Sequence, residues 1–424
     1  MIVINGSTGL TLPNGNVITS ATVSANSGTA ALPNYTGTDT DTGMWFPDVN
    51  AVAISTAGVE RLRIDSSGNV TGLTLQSENV SPYSGRNRII NGAMVIDQRN
   101  AGASVTPTDG QYSVDRWKTS LNVASKFSLQ QSTTAPAGFI NSLLATSLSS
   151  YSIGAGEVTG VQQLVEGLNV ADLAWGTASA ATVTLSFWVR SSLTGTFGGS
   201  LRNSAANRSY PFSYTISSAN TWEQKSVTIA GDTSGTWLTT NGIGIQLYFS
   251  LGAGSTFSST AGSWQSGNYI STTGAVSVVG TNGATFYITG VQLEKGTVAT
   301  PFEFRSFGQE LLLCQRYFEK SYDTTTAVGT ATRVGTVDWN FANMGTYGVV
   351  NIFYRATKRS SATVTNYDPD VANTVGLRYW NGSAEVQGTG SRDGWYGSQN
   401  SSRWALGSTS QSNAVFHWTA SAEL

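Results

Sequence analysis

Apolar and polar residues alternate with period two through much of the chain. Ala181-Thr182-Val183-Thr184-Leu185-Ser186-Phe187-Trp188-Val189 carries the pattern most clearly. It is the pattern of a half-buried strand, because successive side chains of a strand point to opposite faces. Thr221–Ile229, Gly242–Phe249 and Ala284–Leu293 repeat it, with loops rich in Gly and Ser between them. Short strands spaced in this way predict one jelly-roll β-sandwich over residues 86–305.

The pattern changes at residues 306–320. Ser306 followed three residues later by Gln309 is a capping box. Phe307, Leu311, Cys314 and Phe318 then fall at heptad spacing. Leu312, Leu313 and Tyr317 extend the apolar surface almost all round, which predicts a buried linking helix. Residues 321–424 return to β and hold Trp339, Phe341, Phe353, Tyr354, Tyr379, Trp380, Trp395, Tyr396, Trp404, Phe416 and Trp418, a smaller C-terminal β domain. Residues 1–85 hold only brief apolar runs, such as Leu10-Thr11-Leu12 and Leu62-Arg63-Ile64, with Asp65–Asn69 reading as a turn. Strands without a thick core need partners, and the expected partners are the same strands of other copies.

Composition supports an all-β protein. Of 424 residues, 23 are Lys or Arg and 25 are Asp or Glu, so 11% are charged, against about 25% in typical globular chains. Twelve Trp and an aromatic share of 10% exclude disorder. Nine prolines without a Gly at every third position exclude a collagen-like rod. The net charge of −2 provides no positive field for nucleic acid. No apolar run approaches the roughly 18 residues of a membrane helix, so no membrane insertion is expected. Met1-Ile2-Val3-Ile4-Asn5-Gly6 lacks the basic start of a secretory signal, and the one cysteine, Cys314, forms no intrachain disulfide. Folding in a cytoplasm is expected, with oligomerisation as a source of stability. The single histidine, His417, removes most metal and acid–base chemistry, and no cofactor is expected.

Three stretches resemble a known family. Asn34-Tyr35-Thr36-Gly37-Thr38-Asp39-Thr40-Asp41-Thr42-Gly43-Met44-Trp45, followed by Val52–Asp65, resembles a segment near the N-terminal end of tailed-phage and prophage fibre proteins. Asn87-Arg88-Ile89-Ile90-Asn91-Gly92-Ala93-Met94 with Val114-Asp115-Arg116-Trp117 forms the second stretch. The third is Gly290–Gly296 through Thr300-Pro301-Phe302-Glu303 into Leu313–Tyr317. Together these are similar to the start and end of a carbohydrate-binding-like jelly roll of phage tail fibres. The resemblance spans roughly residues 34–320. It implies a homotrimer on the virion, made in the host cytoplasm. An N-terminal shaft or attachment segment, 1–85, would bind other tail or capsid proteins, and the rest would contact a host-surface glycan. A capsid-attached fibre or decoration protein is the alternative mounting, and a tailspike-type polysaccharide depolymerase is the alternative activity. The family carries no catalytic residues onto this chain.

Two groups of aromatics are candidate glycan contacts. Trp395, Tyr396 and Trp404 lie in Ser391–Trp404, dense in Ser, Gly and Asn, a mixture that gives contact area at low entropic cost. Trp237, Trp264 and Tyr269 lie in Gly/Ser/Thr-rich loops, where binding residues concentrate. Packing is the structural alternative for both groups. Asp39 and Asp41 could hold calcium, a hard cation, but a local turn is the favoured account. Asp115-Arg116-Trp117 could hold a sugar. The favoured account places it in a strand, with Trp117 in the core and a paired charge at the rim. A glycosidase needs two carboxyl groups about 5–10 Å apart. Asp232, Glu223, Asp115 and Asp172 are available, and nothing in the sequence pairs them, so no enzyme is expected.

Overall fold

The computed structural model describes residues 3–5, 9–11, 17–18, 28–36, 38–68, 70–71, 85–340, 347–381, 383–388, 395–407 and 413–424; at 3–18, 71, 347–348, 395–396 and 404–407 it describes the backbone alone. The chain divides into two compact units, Met1–Tyr83 and Ser84–Leu424.

The first unit is thin. Tyr35–Thr36, Gly43–Trp45, Val52–Thr56, Val59–Ile64 and Val70–Thr71 form a five-stranded antiparallel meander, and Val3–Asn5, Gly9–Thr11 and Val17–Ile18 form a three-stranded one. Among the described residues of this unit only the small side chains of Ala51, Ala53 and Ser55 are buried, while Ile54, Val59, Ile64 and Val70 are exposed. Asp65 makes the expected turn: its carbonyl accepts from Gly68 N–H at 2.9 Å and its carboxylate from Ser67 N–H at 2.9 Å.

The second unit is built on a sandwich of two antiparallel sheets. The seven-stranded sheet runs, edge to edge, Gln265–Ser266, Arg208–Ile216, Gly195–Arg202, Ile243–Ala253, Val158–Glu166, Trp117–Leu121, Tyr112–Val114. The five-stranded sheet runs Phe127–Ser132, Ser142–Ser147, Thr285–Lys295, Val183–Ser191, Glu223–Ile229. The alternating segments form strands because each has an apolar face to bury. Phe187 from one sheet packs edge-on to Phe249 and Tyr214 from the other, with ring centroids 5.1 and 4.9 Å apart. Trp117, Phe197, Phe212 and Phe286 complete the aromatic centre. Gly290 takes φ +59° where the pairing register with Val183–Ser191 shifts, and a Cβ there would come within 2.7 Å of Phe139. Only glycine fits that bulge without strain.

The helix spans Phe307–Gln315. Its capping box is present: Ser306 Oγ accepts from Gln309 N–H at 3.4 Å, and the Gln309 side chain accepts from Ser306 N–H at 3.2 Å. It is shorter than the 306–320 expected from the heptad spacing. Phe318 belongs instead to a strand, Phe318–Lys320, paired with Asn413–Ser421, so the seam ends at Cys314. Nor is the helix buried all round. Cys314 packs with Ile90, Ile96 and Tyr317, while Phe307 and Leu312 face solvent.

Asn413–Ser421 organises the C-terminal β region: Phe318–Lys320, Val337–Asn340, Thr363–Tyr367 and Leu377–Trp380 all pair with it. Tyr347–Phe353, Ser401–Gly407 and Trp395–Gly397 form a further three-stranded sheet. A second small core holds Val350, Ile352, Phe416, Trp418 and Ala420.

The join between sandwich and C-terminal region is polar and buried. Asp115 and Arg116 do not continue a strand. They form the turn between Tyr112–Val114 and Trp117–Leu121, with Arg116 at φ +68°. Trp117 is in the core as expected, with its N–H donating to Asn91 O at 3.0 Å. The charges beside it are fully buried rather than at a rim, because the C-terminal region covers them. The Arg116 guanidinium pairs with the Glu423 carboxylate, donates to Leu164 O at 2.5 Å and lies over the Tyr317 ring, 3.6 Å from its centroid. Arg99 also pairs with Glu423, at 2.5 Å. Arg316 holds Glu166 with two bonds of 2.6 and 2.9 Å, and Lys358 pairs with Glu319 at 2.5 Å. Charges removed from water in this way are costly unless paired.

Glu423→Ala would leave Arg116 buried without its carboxylate. It should cost about 3–5 kcal/mol of stability in denaturant titration. A loss below about 1 kcal/mol would mean that solvent already reaches the pair. Asp115 behaves unusually. Burial pushes its carboxyl up to about 6, against the pull of Arg99 and of the Gln98 donors. The native state therefore holds this proton more tightly than the unfolded chain does. Its contribution to stability falls as pH rises from the ordinary carboxylate value through about 6. Carboxyl-carbon NMR should give Asp115 a midpoint near pH 6, and a midpoint at 4 or below contradicts this burial.

Candidate functional site

Three indoles meet at one edge of the sandwich. The loop after Glu223–Ile229 is fixed by Asp232, which takes two bonds of 2.8 and 2.6 Å from Arg208 and one of 3.1 Å from Ser234 N–H. Gly235, at φ +78°, lies on the Arg208 stem, where a Cβ would come within 2.6 Å of Cγ. This fold of the loop delivers Trp237. Its indole N–H donates to Ser234 O at 3.1 Å. Trp264 arrives from the loop after Ile243–Ala253, and its N–H donates to Ala230 O at 2.7 Å. Both rings stand edge-to-face with buried Trp175, at 4.7 and 5.3 Å, and with each other at 5.3 Å. Tyr210 adds a further contact with Trp264 at 5.3 Å. Edge-to-face pairs set a ring's positive rim on a negative face, worth about 0.5–1.5 kcal/mol each beyond area burial. Trp237 and Trp264 remain half-buried.

The same long loop, residues 254–273, folds over the outer face of the seven-stranded sheet. Gly198 allows this, since a Cβ there would meet Ser271 Oγ at 2.3 Å. Ser209 Oγ donates to Gly267 O at 2.9 Å and accepts from Tyr269 N–H at 3.3 Å. Tyr269 is half-buried on this loop, and Asn268 beside it is exposed. Beneath them Arg202 donates to Gln246 Oε1 at 2.8 Å and to Asn268 Oδ1 at 2.5 Å. Gln246 donates to Asn203 O at 2.9 Å, and Asn203 to Thr236 O at 3.2 Å, next to Trp237. A continuous polar line thus links Arg202 to the indole edge.

The structure brings Trp237 and Trp264 into contact and places Tyr269 on the adjoining loop face. Trp395 and Trp404 are opposed in the register of Trp395–Gly397 with Ser401–Gly407, and Tyr396 opposes Arg403; the side chains of Trp395, Tyr396 and Trp404 lie outside the described residues. Sequence reasoning missed Trp175, Tyr210 and Arg202. Trp175 carried a signal, since Gly176 and Thr177 follow it in a polar segment like that of Trp237. Each carboxylate weighed for hydrolysis is engaged: Asp232 by Arg208, Glu223 by Lys225 and two backbone N–H groups, Asp172 by Arg88, Asp115 by Gln98. Asp39 accepts from Asp41 N–H at 3.2 Å and the Asp41 carbonyl accepts from Gly58 N–H at 2.9 Å, so this pair builds a turn.

The larger part of the second unit is therefore a two-sheet antiparallel sandwich of jelly-roll type with a tryptophan edge. No protein-family model and no curated protein matches the sequence. Among solved structures, the enzymatically active domain of Bacteriophage CBA120 tailspike protein 4 aligns at 15% identity and a TM-score of 0.29, over 51% of this chain and 22% of that one. A carbohydrate-binding module in complex with β-1,4-galactotriose aligns at 9% identity and a TM-score of 0.26, over 50% of this chain and 99% of that one. The family 11 carbohydrate-binding module from Clostridium thermocellum, in complex with a β-1,3-1,4-mixed-linked tetrasaccharide, aligns at 12% identity and a TM-score of 0.24, over 46% and 96%.

Trp175→Ala should cost about 3–5 kcal/mol, the usual range for removing a buried indole. Trp237→Ala removes a ring that is partly in water and should cost about 1 kcal/mol. Chemical denaturation of the two variants checks this, and equal losses would make Trp237 a packing residue only.

Proposed function

We propose that the protein is a homotrimeric virion fibre that binds a host-surface glycan through the Trp237–Trp264 edge. In this account it is made in the host cytoplasm and mounts on the particle, at tail or capsid, through residues 1–85. The carrying observation is that both indole N–H groups are consumed by backbone carbonyls while the rings stay half-exposed. Such rings offer apolar surface that a pyranose can stack on, and they are held rigid before it arrives. Preorganisation of this kind lowers the cost of binding. The fibre part of the account rests on the sequence resemblance. The thin, exposed first unit supports it, as does the exposed apolar face around the helix. There Phe304 (63% exposed) and Phe307 (55%) flank a cavity of about 270 Å³ also lined by Phe139, Ile140 and Phe302. Three copies meeting at these faces would remove them from water. Hydrolysis is not part of the proposal, since the four carboxylates considered for it are engaged elsewhere.

A glycan array probed with the full-length protein tests the binding. Stacking of roughly 1–3 kcal/mol, by analogy with aromatic stacking on bases, makes Trp237→Ala and Trp264→Ala each about 5- to 150-fold weaker at a single site. The thermal midpoint should fall far less than binding does. An array without any bound glycan, or variants that bind like the parent, would refute the assignment. Sedimentation equilibrium should give three times 44.6 kDa, and a monomer at micromolar concentration would refute the trimer.

A further inference from the structure

We propose that the ligand of this surface is an anionic sugar and that Arg202 receives its charge. This rests on the glycan-binding account above and names the chemical class of its ligand.

Arg202 is only 6% exposed. Burying a guanidinium is costly unless an opposite charge compensates it. The other buried arginine among the described residues, Arg116, obeys that rule by holding a carboxylate, and the part-buried Arg208 and Arg316 hold one as well. Among the described residues Arg202 holds none. Its partners are two neutral amide oxygens, Gln246 Oε1 and Asn268 Oδ1, and its guanidinium carbon lies 5.7 Å from the Tyr248 ring centroid. Its Nε–H has no partner among the described residues. Burial accordingly pulls its pKa down. A guanidinium in this state has a large electrostatic gain available from any anion that reaches it.

One end is reachable. Gln246, which takes one Nη, is buried in the sheet, but Asn268, which takes the other, is exposed on the loop. Asn268 therefore stands where an incoming oxyanion would stand. Displacing that neutral amide would let a carboxylate or phosphate make a charge-assisted contact with the freed Nη. Tyr269, the next residue, is half-exposed beside that position and would meet the sugar ring. A hexuronate and a hexose phosphate share the required chemistry.

Differential scanning of the full-length protein with sodium galacturonate, galactose 6-phosphate and neutral galactose tests this. The charged sugars should raise the thermal midpoint at concentrations where galactose does not, with an effect that shrinks as salt is added. The larger of the two charged responses identifies the oxyanion. Arg202→Gln removes a buried group and can unfold the sheet, so the decisive variant is Asn268→Asp. It tethers a carboxylate to Arg202. The ligand-free midpoint should rise, and the charged-sugar response should weaken by about tenfold or more. Equal responses to galactose and to the charged sugars overturn the proposal, as does an Asn268→Asp variant that responds like the parent. Those outcomes leave array binding at Trp237 and Trp264 untouched. Conversely, an array without bound glycans beside an intact charged-sugar response overturns the Trp237–Trp264 assignment alone.

Discussion

The outer face of the seven-stranded sheet has to be covered, and most of what is distinctive in the molecule follows from how. The inner face is satisfied by the other sheet. The outer face carries Gln162, Leu164, Glu166, Gln246 and Tyr248, all buried. Loop 254–273 covers one side, over strands Gly195–Arg202 and Arg208–Ile216. The C-terminal region covers another, where Arg316 and Tyr317 reach Glu166 and Arg116 reaches Leu164 O. Each cover brings polar groups under it that must then be paired. The C-terminal cover meets that demand with carboxylates at Arg116, Arg316 and Lys358, and with the carbonyls of Thr324 and Thr326 at Lys320. The loop cover meets it at Arg202 with amides alone.

That difference separates a structural join from a receptive surface. A chain with 11% charged residues places several of its charges in one buried junction, where replacement by apolar groups would often be neutral or stabilising. What the junction fixes is the seating of one β region on another, through the geometry of forked bonds. The indole edge works differently. Its polar atoms are consumed locally, which leaves ring surface as the only thing it offers outward.

The strands were legible wherever one face alone is apolar, as at Val183–Ser191 and Glu223–Ile229. The helix start was legible because a capping box is local. Its end was not: Leu311–Phe318 keeps a helical pattern, and what stops it is a partner strand at residues 413–421, far along the chain. The turn at Asp115-Arg116 was hidden for a similar reason, since an arginine at positive φ is rarely chosen and is held here by Glu423. Loop placement made Trp237 and Trp264 visible as candidates. Their contact through Trp175 depends on three segments that converge only in the fold. Arg202 sits in a strand beside the small residues Gly198, Gly199 and Ser200. That run leaves room for a covering loop, but the sequence does not say which loop comes.

Fluorine NMR of the full-length protein labelled with 5-fluorotryptophan tests the central claim most directly. Among the 12 tryptophans, addition of the glycan that the protein binds should shift the resonances of Trp237 and Trp264 and leave that of core Trp117 in place. Unmoved Trp237 and Trp264 signals, with shifts at Trp395 or Trp404 instead, would contradict the account and move recognition to the C-terminal sheet.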